Sequence, residues 1–483
     1  MSYVPTIVQA VEPNEAEIDL YLSQQHMRKL NLTPCTLTVQ FGSQTVQARV
    51  SGMERTGPAF IRPSLARALF LPTGYPLLVR YQANQQCLVF GPYLGILVSS
   101  YNAQFPSSPF GLLTAFYNEV ADTYRQRGGI VCAFRLKDVN WETRTLRGLV
   151  RRNGAWRLVT LPLPQCIYNR LTSRQTEKSD NVGAWIQRCK DLQIPFFNER
   201  FLNKWHVHTA LAKEAQAASY LPKTVRYLGL HELQSMLSEF RTLYVKPTNG
   251  SMGRGIYRIR RSAEGYLVTN AGAGTRLFGS LGSLHQFLNK RTKSTSYLLQ
   301  QALPLIGISQ RPADFRVLVQ KNRQGEWAVT SMVARVGQNR IVSNIARGGS
   351  MMSPVQALNV CGPWMSSIRP SAQTLRSVAL KLSHLLEQSL AGQYAELGID
   401  LGVDVQGRIW LLEVNSKPSK QVNTVPGAAG TESPLKRIRP SVLRLHDYAT
   451  HVSGYPYTPK PKHSRIIGKN KRKGKPAKKK SRR

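Results

Sequence analysis

Gly398-Ile399-Asp400-Leu401-Gly402-Val403-Asp404-Val405, then Gln406-Gly407, then Arg408-Ile409-Trp410-Leu411-Leu412-Glu413-Val414-Asn415 is the stretch on which the reading of this chain turns. Two apolar-rich runs around a Gln-Gly pair read as a β-hairpin. With those two residues as the turn, Val405 faces Arg408, Val403 faces Trp410, Leu401 faces Leu412 and Asp400 faces Glu413. Side chains alternate along a strand, so Asn415 shares the face of Glu413 while the leucines, Val403 and Trp410 meet on the other. Facing Cβ atoms stand roughly 4.5–5.5 Å apart, and like charges so placed repel each other. A raised pKa on one acid would offset that repulsion. So would a divalent cation, because two carboxylates and an amide oxygen are the hard ligands that Mg²⁺ takes alongside phosphate oxygens. A solvated outer face with both acids hydrated is the plain alternative, and the hairpin alone leaves it open.

Two elements upstream bear on that choice. Leu243-Tyr244-Val245-Lys246 and Ile256-Tyr257-Arg258-Ile259 read as strands joined by Pro247-Thr248-Asn249-Gly250-Ser251-Met252-Gly253-Arg254-Gly255. Its glycines let backbone amides approach phosphate oxygens, and Lys246 adds a point charge at the strand end. It is no Walker A loop, since no Lys-Ser/Thr follows the glycines and a strand comes next. An ordinary hairpin turn fits the loop as well. Asp314-Phe315-Arg316-Val317-Leu318-Val319-Gln320 alternates, placing Asp314 and Arg316 on one face, and Ser331-Met332-Val333-Ala334-Arg335 reads as its partner strand. Ser343-Asn344-Ile345-Ala346-Arg347-Gly348-Gly349 turns afterwards. Arginines suit carboxylate or acyl-phosphate recognition through their fork of donors, and they suit pairing with surface acids equally.

Lysine-glycine hairpin, Asp-x-Arg strand and Asp…Glu-x-Asn hairpin, in that order, resemble the ATP-grasp superfamily, whose members activate a carboxylate as an acyl phosphate. Asp-Phe-Arg, Ala-Arg and Ser-Asn-Ile-x-Arg-Gly-Gly look most like its glutamate-ligase branch. Gly91-Pro92-Tyr93-Leu94-Gly95-Ile96-Leu97, Ile167-Tyr168-Asn169-Arg170 and 410–418 resemble the endospore coat-associated ATP-grasp family of the YheC/YheD type. The likeness spans about 90–450. It implies that Lys204 and Lys246 touch ATP phosphates, with Ser251, Gly253 and Gly255 closing over them, and that Gln300 and Gln301 lie at the lobe hinge where adenine is held. It implies that Asp400, Glu413 and Asn415 hold two Mg²⁺, and that Arg316, Arg335, Asn344, Arg347 and Gly348 serve the acceptor pocket. The superfamily often has an acid where Gln301 stands. D-Alanine ligases carry an arginine where this chain has Gly398, so the phosphate-stabilising arginine would be Arg335 or Arg316. His206 and His208, on the helix expected after Lys204, read as packing or surface residues.

The 483 residues are enough for two or three domains, and 66 Lys+Arg against 26 Asp+Glu leave a net charge of +40, so polyanions or anionic small molecules are the natural partners. The fold class expected is α+β/α/β. A β-rich domain occupies 1–90, an α/β pre-ATP-grasp-like unit 91–190, and an ATP-grasp domain 191–458 with lobes at about 191–302 and 303–458. Residues 459–483 hold 13 Lys or Arg and no acid, and read as a disordered basic tail able to hold an anionic polymer. No signal peptide is read at 1–5, and the best apolar run, 87–99, is too broken to span a bilayer. Six scattered cysteines without ligand spacing suggest buried thiols in a reducing cytosol. The function expected is an ATP- and Mg²⁺-dependent carboxylate-amine ligase of the cytoplasm or the spore coat, with amino acids or peptides as candidate acid and amine. A coat component that binds nucleotide without turnover, or a kinase that stops at the phosphate, would use the same residues.

Overall fold

The computed structural model describes residues 2–12, 17–250, 254–270, 274–293, 295–337, 349–420 and 438–455. Its first strands alternate strictly, as where Leu37, Val39 and Phe41 are buried along Cys35–Phe41. They close into a barrel in the order Tyr3–Ala10, Ala59–Ile61, Leu20–Ser23, Gln44–Met53, Cys35–Phe41, Cys87–Gly91 and Pro76–Gln82, the last pairing back to the first. Closure leaves no open sheet edge.

A second sheet has Tyr93–Val98 at its centre, flanked in parallel by Ile130–Phe134 and Cys166–Arg170. All three strands are buried along their whole length, as expected of parallel strands covered on both faces. Helix Thr114–Arg127 packs against this sheet, as does the last described helix, Pro440–Val452, which returns from the far end of the chain and places Val442, Leu445, Tyr448 and Ala449 in its apolar cluster. The barrel and this sheet share a cluster through Phe90, Tyr93, Cys132 and Trp185.

The two remaining sheets stand where the two expected lobes would lie. The first runs Thr224–Tyr227, Tyr297–Gln301, Thr242–Pro247, Tyr257–Ser262, Gly265–Asn270, Gly274–Phe278. Leu243, Val245, Ile259 and Val268 pack on one side against helices Leu230–Glu239 and Leu281–Thr292, leaving the other side to face the second lobe. That lobe runs Ser350–Met352, Trp327–Val336, Arg311–Lys321, Glu396–Val403, Ile409–Asn415. Helices Lys204–Ala212 and Ala372–Ser389 share its core. Among the described residues no helix is long and apolar enough to cross a membrane. All six cysteines are free thiols, and all but Cys35 are buried.

Candidate active site

Glu396–Val403 and Ile409–Asn415 form the antiparallel hairpin, and Asp400 lies opposite Glu413. The turn is not the two-residue Gln-Gly connection. Residues 404–408 form the loop, closed by Asp404 N–H donating to the Arg408 carbonyl. Its carboxylate accepts from the backbone of Gln406 and Arg408 at 3.0 and 2.9 Å and from Trp410 Nε1 at 2.8 Å. Gly407 takes φ +85°, and a Cβ there would stand 2.2 Å from the Ile368 carbonyl, so only glycine fits. The longer loop shifts the nearer pairs by one, to Val403–Ile409, Gly402–Trp410 and Leu401–Leu411, and a bulge at Leu412 restores the register in time for Asp400 and Glu413. The expected pairs Val405–Arg408, Val403–Trp410 and Leu401–Leu412 are therefore wrong, and the acidic pair is right.

The two acids are not hydrated on an outer face. Asp400 is 5% exposed, and Arg316, its cross-strand neighbour, grips it through two donors, Nε on Oδ1 and Nη2 on Oδ2 at 2.8 Å. Arg335 Nη2 reaches the same Oδ2 at 3.1 Å while its Nε donates to Asp314. Burial pushes the Asp400 carboxyl up, but the two guanidinium charges outweigh it and hold the pKa below the ordinary aspartate value. Burial likewise disfavours the Arg335 cation, and Asp400 and Asp314 reverse that. Glu413 is paired instead with Lys204, Nζ to Oε1 at 3.0 Å. The repulsion expected between the acids is thus offset by protein cations, and the Asp400 pKa is lowered where a raised one was the alternative.

Lys204 ties the two motifs together. Asn203 caps its helix by accepting from the N–H groups of Trp205 and His206, and Asn203 Nδ2 donates to Asn249 Oδ1 at 3.0 Å. Lys204 Nζ then donates to the Gly250 carbonyl at 2.9 Å as well as to Glu413. The glycine loop and the acidic hairpin therefore meet at one ammonium group. Gly255, at φ +70°, lies just before the second strand of the loop.

A narrow, partly open cleft of about 40 Å³ lies between the two sheets. Lys204, Lys246, Gln300, Thr224 and Glu413 are polar residues of its lining, and Val207, Leu221, Pro222, Leu298 and Leu411 are apolar ones. Lys246 Nζ donates to Gln300 Oε1 at 2.6 Å, and Gln300 Nε2 to Thr224 Oγ1 at 3.0 Å. Burial pulls the Lys246 pKa down to about 8, Glu413 opposing and Lys204 adding to the drop. Gln301 points elsewhere, accepting from Lys223 N–H at 2.8 Å, and is not among the lining residues. Half-buried Asn415 follows Glu413 and pairs with Gly398. Ser251, Gly253, Asn344, Arg347 and Gly348 lie outside the described residues, as does the tail 459–483.

The donor set suits a hard divalent cation. A carboxylate offers about four lone pairs. The guanidinium contacts on Asp400 use three of them and Lys204 uses one on Glu413, so both acids keep acceptor capacity.

His208 stacks on Trp205 at the cleft lining, a packing role as expected. Sequence reasoning missed how the chain beyond the hairpin is anchored. The segment after Asn415 is held by the preceding α/β domain and its linker. Ser416 Oγ donates to the Arg200 carbonyl at 2.7 Å and accepts from Leu202 N–H at 3.1 Å. Lys417 pairs with Glu177, the Pro418 carbonyl accepts from Arg170 at 3.2 Å, and Lys420 pairs with Glu396, which also accepts from Tyr168 and Arg170.

The profile of a family described as YheC/D like ATP-grasp matches residues 193–452. Endospore coat-associated protein YheD of Bacillus subtilis (strain 168) is 28% identical over 429 residues, covering 86% of this chain and 91% of that protein. Endospore coat-associated protein YheC of the same organism is 23% identical over 298 residues, covering 59% and 79%. Among solved structures, D-alanyl-alanine synthetase A from Vibrio cholerae superposes with a TM-score of 0.40 at 9% identity, covering 69% of this chain and 91% of that one.

Proposed function

The chain belongs to the YheC/D-like ATP-grasp family, and on that premise we propose that it is an ATP- and Mg²⁺-dependent carboxylate-amine ligase acting through an acyl phosphate in the service of the endospore coat. The observation that carries this is Lys204, whose one ammonium group touches both the glycine loop and Glu413 beside a cleft lined by two lysines and by apolar Val207, Leu221 and Leu298.

In this reading Lys246 and Lys204 bind the phosphates, with Ser251, Gly253 and Gly255 over them, and Gln300 orients Lys246. Val207, Leu221 and Leu298 flank the base and exclude water from it. Asp400, Glu413 and Asn415 would hold Mg²⁺, two ions in the full form of the proposal, which when bound neutralises phosphate charge and polarises the transferring group. Arg335 and Arg316, fixed in direction by Asp314 and Asp400, face the charge that builds on the transferring phosphoryl group. Asn344, Arg347 and Gly348 would serve acceptor recognition. The acid attacks the γ-phosphorus through one oxygen, releasing ADP, and the amine then displaces phosphate from the acyl carbon as its proton leaves to a base or water. The basic tail would hold an anionic polymer.

The test is ADP release across a panel of amino acids and peptides, with products identified by mass. ADP should form in proportion to one acceptor pair, and Glu413→Gln should abolish it. Release indifferent to every acceptor would replace the ligase with a nucleotide-binding coat component.

A further inference from the structure

The first lobe carries an unbalanced charge that the cleft does not use. Between Arg254 and Lys293 the sequence has eight Lys or Arg and one acid, Glu264. Among the described residues none of these eight cations takes part in an ion pair, and all but Arg258 are exposed. Two of them are brought together. Arg291 lies over the Phe287 ring at 4.5 Å, and Arg276 approaches the same ring at 5.8 Å while stacking on Phe278 at 4.9 Å. Each ring fixes a guanidinium face and leaves the donor fork exposed. Two like charges around one ring repel unless an anion lies between them.

Arg276 also stands on an edge. Among the described residues, Gly274–Phe278 is the last strand of its sheet and pairs only with Gly265–Asn270. Four of its five residues are exposed, Leu277 among them at 44%. Leu277 faces Leu267, and Leu267 faces Arg260, so the side opposite Arg276 carries an apolar pair followed by a further cation.

We propose that this edge binds an extended, carboxylate-rich peptide by strand addition, with acidic side chains meeting Arg276 and Arg291 on one face and apolar ones meeting Leu277 and Leu267 on the other. Charge complementarity selects that occupant. A second copy of the edge would set arginine against arginine. A single-stranded nucleic acid would need an open aromatic platform, and Phe287 is already covered by guanidinium groups. The surface is independent of whether the cleft turns over.

The probe is a fluorescein-labelled ten-residue peptide alternating Glu and Val, titrated by anisotropy against the full-length chain. R276E/R291E should weaken binding at least about tenfold, with an unchanged thermal transition, and R276Q/R291Q should weaken it by a smaller factor in the same direction. Amide exchange at 274–278 should slow when the peptide is added. Equal affinity in both double variants would assign binding to other cations, the tail included, and overturn the proposal. Unchanged exchange at 274–278 would overturn strand addition. An oligonucleotide that displaces the peptide and loses affinity to the same extent in R276E/R291E would overturn the peptide class.

Discussion

Glu177→Gln isolates the tether that holds the acidic hairpin to the α/β domain. Lys417 and Glu177 are 2% and 5% exposed, so removing the carboxylate leaves a buried ammonium group without its counter-charge. Breaking such a pair from one side costs roughly 3–5 kcal/mol. Part of that cost must depend on pH. Burial pulls the Lys417 pKa down to about 8, with Glu177 opposing the drop and Arg170 and Arg174 adding to it. Because the folded pKa lies below the unfolded one, the charged lysine destabilises the fold below about pH 8, and that penalty is relieved as pH rises from 8 toward the unfolded value near 10.4. In Glu177→Gln the folded pKa falls further, so the penalty at pH 7 grows, while at pH 9.5 the lysine is neutral in both proteins. Glu177 also accepts from Phe201 N–H at 2.7 Å and Asn169 Nδ2 at 3.2 Å, and those losses are indifferent to pH. At pH 7 the thermal midpoint should fall by roughly 3 °C for about 3 kcal/mol, because the entropy of unfolding grows with chain length, and at pH 9.5 by less than half as much. A deficit of equal size at both pH values would refute the argument that an uncompensated lysine causes it.

Other perturbations probe the site directly. Lys246 must be protonated to hold phosphate, so ATP affinity should fall by up to about tenfold per pH unit above 8, and calorimetry in buffers of different ionisation enthalpy should show proton uptake on binding. Lys246→Met should remove that uptake. Asp400→Asn strips a buried acid from two arginines and should cost roughly 3–5 kcal/mol by urea denaturation, whereas Arg335→Lys, which keeps the charge and loses the fork, should lower turnover more than stability. Asp404→Ala removes the acceptor for three donors in the hairpin loop and should cost about 2–4 kcal/mol, with a broadened Trp410 indole NH signal.

The face-to-face placement of Asp400 and Glu413 was legible because strand alternation is local and both runs are long. The loop was misread because Gln-Gly lacks the Asn or Asp that a two-residue turn favours. The signal that could have corrected it was Asp404 itself, an acid able to accept from the backbone two residues on. The alternating faces of Asp314–Gln320 and Ser331–Arg335 were likewise readable, and the register joins Asp314 to Arg335. That Arg316 and Arg335 would both converge on Asp400 was not readable, since it depends on which strand lies beside Glu396–Val403. Barrel closure and the return of Pro440–Val452 onto the second sheet are equally matters of tertiary pairing. The contacts of Ser416, Lys417 and Lys420 with Asn198, Glu177 and Glu396 reach across 24 to 240 residues, beyond any periodicity.

That grip also limits how the protein can be cut. A fragment beginning at residue 193 would contain the whole stretch matched to the family and would still sever Lys417 from Glu177 and Pro418 from Arg170. The catalytic half is thus not a detachable module. Shuffling of gene segments at that boundary would orphan buried lysine and arginine groups, so the two halves must be inherited, expressed and engineered as one piece.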